Sequence, residues 1–282
     1  MHTECEKCLF LQADKLFQRH NINKQVSNDI TRRIKRFIKS RNESLTTPVA
    51  ACILHRMVKK AANGIDLYEK EKAKYNHLML GLEDEIRQKI QQSKHPFETA
   101  MRYALAGNII DYGPPGGFNA METLFDAASR IPAIDHSSIL FEELQNADTV
   151  LYLGDNAGEI VLDKLFIETI NHPNLFFATR GGHIINDITI DDARQTGITG
   201  VANVISNGYD APSTILNRCS EDFLEIFDSA DIVISKGQGN LEGLLDIKNK
   251  KIFFLLMVKC KVIADRIGVE EKNSVAFLNE KI

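Results

Sequence analysis

The stretch 149-TVLYLGDNAGEIVLDK-164 opens as an apolar β-strand, breaks at Gly154, and resumes at residue 157 as a helical pattern, with Asp155 and Asn156 at the corner. In strand-glycine-helix units that bind nucleotides, this corner offers backbone N–H groups and a helix N-terminus to a phosphate. A carboxylate there repels the same anion. The placement therefore asks for a positive species between the acid and whatever anion binds.

Working outward, short β-branched or aromatic runs (TVLYL, NLFFAT, VANVIS, DIVIS and KIFFLLMV) alternate with helical segments at 157–172, 189–197 and 213–230. Such alternation predicts a mostly parallel sheet covered by helices on both faces. Upstream, 28–41, 48–63, 66–93 and 96–111 carry apolar residues at i, i+3 and i+4 spacing, which predicts a helical domain over 1–145 joined to an α/β domain over 146–282. The turn-rich piece 112-YGPPGGFN-119 reads as a loop near the join.

Composition narrows the function. The 282 residues are 44% hydrophobic, enough for real cores, and the net charge of −4 comes from interspersed acids and bases, which gives no reason to expect a nucleic-acid partner. No apolar run reaches the ~20 residues of a membrane span, and MHTECEKCLF lacks a signal-peptide series, so no membrane association and a cytoplasmic location are expected. Cys5, Cys8, Cys52, Cys219 and Cys260 are an odd set, read as reduced thiols. Cys5 and Cys8 have the spacing of half a zinc site, but no second Cys or His pair at zinc spacing follows.

In open α/β sheets ligands bind beyond the carboxyl ends of the strands. There the sequence places Asp155 and Asn156, then Asp187, then the run Lys236, Gly237, Gln238, Gly239, Asn240, and finally Lys259. Asp155, Asn156 and Asp187 supply hard oxygens, too few to fill an octahedron, which suits a divalent cation keeping positions for water and substrate. Gly237 and Gly239 allow backbone N–H groups close to an anion, and Lys236 and Lys259 add point charges for a phosphate. Asp187 has a second reading, as part of a helix start with Thr189 as N-cap and Asp192 closing a capping box. Asp163 and Glu168 read as the solvated face of their helix. Asn108 and Asp111, three apart on an apolar helix, share a face; they read either as a buried polar pair or as a substrate contact at the domain junction.

The segments GDNAGEIVLDK, IINDITIDDA and ISKGQGNLEGL, in that order, resemble the metal-dependent damage-control phosphatases, in particular their stand-alone prokaryotic branch. The motif 107-GNIID-111 resembles the family's Asn-x-x-Asp, and 66-DLYEKEKAKYNHLML-80 its Asp-Pro-Tyr segment, with Leu67 in place of proline. The resemblance implies a helical domain joined to a three-layer α/β/α, Rossmann-like domain. It also implies Asp155, Asn156 and Asp187 as metal ligands, and Lys259 as the lysine of the eukaryotic Arg-Thr-x-Lys motif. Leu256, Met257 and Val258 precede Lys259, so the arginine of that motif is absent and the eukaryotic substrate preference is not carried over.

The expected function is hydrolysis of phosphomonoesters of small metabolites, sugar phosphates or related and damaged compounds, with Mn, Co, Ni or Mg as cofactor. Asp155, Asn156, Asp187 and Lys259 are the expected catalytic group; Asn108, Asp111, Lys236, Gly237, Gly239 and Asn240 are the expected substrate contacts. Attack by water is preferred to an aspartyl-phosphate route through Asp155. A methyltransferase or dinucleotide enzyme fits less well, because Gly154-Asp-Asn-Ala-Gly158-Glu does not meet G-x-G-x-x-G and Thr179-Arg180 stand where an acid would grip a ribose. A non-catalytic metabolite-binding protein is the third reading.

Overall fold

The computed structural model describes residues 1–40, 45–107 and 120–281. Among these, the strands in chain order are β1 (Ile134–Asp135), β2 (Val150–Leu153), β3 (Leu175–Thr179), β4 (Asn203–Ser206), β5 (Ile232–Lys236), β6 (Ile252–Met257) and β7 (Ser274–Leu278). They form one sheet in the order β1-β7-β6-β5-β2-β3-β4. Every neighbouring pair is parallel except β6 with β7. The chain winds one way through β2, β3 and β4, then returns to pair β5 on the other side of β2. The order therefore reverses between β2 and β5, and a crevice is expected beyond the carboxyl ends of those two strands.

Strand periodicity divides the core. Val150 and Tyr152 face one side of the sheet with Ile232, Ile234, Phe253 and Leu255, while Leu151 and Leu153 face the other with Val233, Phe254 and Leu256. The first side is covered by α4 (Glu69–Leu80), α5 (Glu83–Gln91), α6 (Pro96–Ala106) and α9 (Glu159–Ile170). The second is covered by α11 (Glu221–Ser229), α12 (Gly237–Leu244) and α13 (Lys261–Ile267). A separate apolar cluster joins α1 (Thr3–Arg19), α2 (Lys24–Ser40) and α3 (Thr47–Ala61). The remaining helices are α7 (Ala120–Ser129), α8 (Ser137–Leu144) and α10 (Ile190–Thr196).

Contacts run across the expected boundary at 145/146. β1 lies before it yet pairs with β7, and Met79, Met101 and Leu140 share a core with Tyr152 and Phe166. The two-residue β1 and the late β7 escaped the strand reading. The single helix expected over 66–93 is two, interrupted at Gly81 and Leu82. α9 corrects another expectation: all of its first nine residues are buried, Asp163 included, because the sheet covers one face and α6 the other. Glu168 is not a free surface acid either, since Arg87 Nε donates to it at 3.1 Å.

Among the described residues no helix is long and apolar enough to cross a membrane.

Candidate functional site

Two loops at the switch point are joined by backbone hydrogen bonds. Ile188 N–H donates to the Asp155 carbonyl (3.0 Å), Ala157 N–H donates to the Asn186 carbonyl (2.9 Å), and Asn156 pairs with Asp187 in an antiparallel bridge. The pairing brings Asp155, Asn156 and Asp187 together across 31 residues of sequence. All three are buried. Gly154 is required just before them, because a Cβ there would run into Phe177 and Ile188.

Both sequence readings of the 187–192 segment have a place. The Asp192 carboxylate accepts from the Thr189 N–H and hydroxyl, each at 2.8 Å, forming the helix start, and this leaves Asp187 to face Arg180. Asp192 also receives the Lys72 ammonium at 2.6 Å and the Asn76 amide at 3.1 Å, and Asn76 Oδ1 in turn accepts the Gly158 N–H at 2.7 Å. A neutral amide from α4 thus occupies the N-terminus of α9, where the nucleotide-binding analogy would put phosphate.

Arg180 lies between the two acids. Its Nε donates to Asp187 at 2.6 Å, one terminal nitrogen reaches Asp155 at 3.5 Å, and the other donates to Asn240 Oδ1 at 2.9 Å. Even so, burial pushes the Asp155 carboxyl well above the usual carboxylate range, with the charges of Asp187 and Glu159 adding to it and Arg180 and Lys259 opposing. Burial likewise raises Asp187, against Arg180, Lys72 and Lys259. The pair is short of positive charge. The sequence reading used Arg180 only to argue against a ribose site; a cation directly after a strand that ends beside an acid corner was the signal available.

Lys236 does not reach this crevice, contrary to expectation. It continues the alternation of Ile232 and Ile234, so its side chain enters the α6/α9 side of the sheet. There its ammonium pairs with Glu159 at 2.6 Å and with Asp163, and donates to the Ala104 carbonyl at 3.0 Å. Burial works against that charge, but Asp163 and Glu159 more than offset it and hold the lysine at about 12. Burial pushes Asp163 up to about 7 despite Lys236. Glu159 Oε2 also accepts from the Asn156 amide at 3.1 Å, so this buried network supports Asn156 from beneath. Asn240 is likewise internal: it donates to the Gly154 and Lys236 carbonyls and accepts from Arg180 and Thr214. Its expected substrate contact is replaced by a role in bracing the loops. Gly237, at φ +77°, lies against the Asp155 carboxylate, and Gly239 against the Pro212 carbonyl. Asn108 and Asp111 lie outside the described residues.

A pocket of about 400 Å³ opens over the acids. Asp155, Asn156, Asp187, Gln238, Gly239, Glu242 and Lys259 line it from the α/β side; Gln12, Thr47, Tyr68, Glu71 and Tyr75 line it from the helices. Its size suits a small metabolite. The helical walls were not legible as such, although Tyr68, Glu71 and Tyr75 fall in the segment that carried the Asp-Pro-Tyr resemblance. Cys5 is half-buried and Cys8 exposed, both free, and among the described residues no three His, Cys, Asp or Glu side chains are grouped to hold a metal.

Fold and site together define an open α/β protein whose switch-point crevice holds two buried carboxylates, an amide and a lysine. The chain belongs to the family of the damage-control phosphatase ARMT1-like domain, whose model matches residues 1–275. It is 31% identical to the damage-control phosphatase PH1575 of Pyrococcus horikoshii over 98% of this chain and 97% of that protein. It is 32% identical to a damage-control phosphatase of Archaeoglobus fulgidus over 80% of this chain and 81% of that protein. A crystal structure of PH1575, described there as a DUF89 family protein, matches 99% of each chain at 29% identity with a TM-score of 0.90. The membership supports a phosphatase role in metabolite repair.

Proposed function

We propose that this chain is a metal-dependent phosphatase that hydrolyses phosphomonoesters of small metabolites, sugar phosphates or related and damaged compounds. The observation that carries the reading is the convergence of Asp155, Asn156 and Asp187 with Lys259 in one pocket at the strand switch point. The donor set fits a divalent cation. Two carboxylates and one amide oxygen suit Mn, Co, Ni or Mg, and the burial that raises both acids in spite of Arg180 and Lys259 is the electrostatic deficit that a cation fills. Three protein oxygens would leave positions for water and substrate oxygen on a six-coordinate ion. When bound, the metal supplies Lewis-acid polarisation of the phosphoryl group and a more acidic water.

The protein's own groups do the rest. Arg180 fixes the orientation of Asp187 and Asp155 through its donors, so the acids are set before substrate arrives. Lys259, whose charge acts on both acids, stands where it would neutralise charge gathering on the transferring group. Tyr68, Tyr75 and Gln12 line the pocket from the helices and suit the organic part of the ester. Asp155, pressed by Gly237 and bonded to Asn156 at 2.7 Å, is committed to the donor set, which favours attack by water over an aspartyl-phosphate route.

The test is phosphate release from a panel of phosphorylated metabolites, with metal analysis of the purified protein. Chelation should abolish release and divalent cations should restore it to differing extents. Full activity in excess chelator, with no metal detected, would overturn the reading.

A further inference from the structure

We infer that Gln238 is a positioning residue that sets where Lys259 stands relative to the acids. The inference rests on the phosphatase reading. Lys259 sits in the short connection between β6 and α13, whose backbone is tied on either side: Val258 N–H donates to the Asn273 carbonyl at 2.9 Å, and the Cys260 carbonyl accepts from Ala264 N–H at 3.0 Å. The Lys259 N–H itself goes to a side chain, donating to Gln238 Oε1 at 2.9 Å. The orientation of that amide is fixed by its other end, since Gln238 Nε2 donates to Glu242 Oε1 at 3.2 Å, one helical turn along, and to Cys260 Sγ at 3.5 Å. Reversing the amide would set NH₂ against the Lys259 N–H and oxygen against the Glu242 carboxylate.

Gln238 is the second residue of α12, directly after Gly237, which lies against the Asp155 carboxylate. One turn of helix therefore touches the acid at one residue and holds the lysine's peptide at the next. It acts as a spacer between the two charges of the site. Loss of the amide would free the Lys259 peptide while leaving Asp155, Asn156 and Asp187 in their own hydrogen bonds.

The test is a double-mutant cycle on the full chain, with Gln238→Ala, Lys259→Ala and the pair, each checked by thermal unfolding and metal content. Gln238→Leu, which keeps bulk on the helix, replaces the alanine variant if that one does not fold. Two readouts are taken: kcat/KM for phosphate release, and calorimetric binding of inorganic phosphate. Gln238→Ala should lower kcat/KM by about 10- to 100-fold and weaken phosphate binding, with metal content unchanged. In the Lys259→Ala background the same substitution should change either readout by less than about twofold, because its route of action is gone. Two results would overturn the inference: independent, multiplying effects, or a Gln238→Ala protein equal to wild type when Lys259→Ala is impaired. A Lys259→Ala protein with unchanged kinetics and phosphate binding would instead sink the role given to Lys259 in the phosphatase reading.

Discussion

Replacing Gly237 by alanine separates backbone strain from damage to the site. Gly237 has φ +77°, and a Cβ added to it would run into both oxygens of the Asp155 carboxylate. Gly268, which ends α13, has nearly the same conformation, φ +75°, but nothing lies within 4 Å of where its Cβ would be. Holding an L-residue in the left-handed region costs about 1–2 kcal/mol, partly offset by the smaller entropy of the unfolded alanine chain, about 0.4–1 kcal/mol. Both variants should therefore lose about 1 kcal/mol, or roughly 2–4 °C in melting temperature for a chain of this size. Gly237→Ala must also displace Asp155 or the start of α12. A misplacement near 1 Å costs about 10²-fold in turnover, and retention of metal should fall with it. The assay compares thermal unfolding, phosphate release and bound metal for the two variants. Equal activity and metal content in both would refute the claim that Asp155 needs the space under Gly237.

Lys236→Met leaves Glu159 and Asp163 buried without their counter-charge and should destabilise by about 3–5 kcal/mol in denaturant unfolding; a loss under about 1 kcal/mol would contradict the buried pairing. His55 is buried, neither ring nitrogen has a hydrogen-bond partner among the described residues, and burial lowers its pKa from 6.5 to about 4. The unfolded chain therefore binds an extra proton between those values, so stability present above pH 6.5 is lost as pH falls to about 4, by roughly 3 kcal/mol. His55→Leu should flatten that slope in pH-dependent melting, and an unchanged slope would rule the residue out as its source. Because burial raises Asp155 and Asp187, divalent cation binding should tighten as pH rises and should release protons, measurable in weakly buffered solution with an indicator; binding without proton release would count against the two acids as its ligands.

The reasons some residues were readable and others not are physical. Asp155 and Asn156 were legible because they follow an apolar strand by a single glycine, and Asp187 because it lies in the loop after the next strand; a parallel sheet delivers all such loops to one edge. Lys236 was misplaced by the same rule. It is still the last residue of β5, not the first of the loop, and its phase with Ile232 and Ile234 sends it to the interior. Period-two counting could have found this. The pairing of Glu159 with Lys236, 77 residues on, and the helical walls of the pocket could not be assigned from spacing, because those partners lie far away in sequence.

The amino-acid sequence by itself determined the alternation of strand and helix, the mostly parallel sheet that follows from it, and the corner where acids gather, because each depends on local periodicity and on chain direction. The tertiary structure decided the strand order, with β5 returning beside β2 and β7 reversing against β6; which face of α9 was left to solvent, namely hardly any; and which cations serve the site. Those outcomes depend on packing between segments far apart in sequence, as when Lys236 meets the Ala104 carbonyl across 132 residues, and burial acts on a charge only through the groups that the fold brings around it.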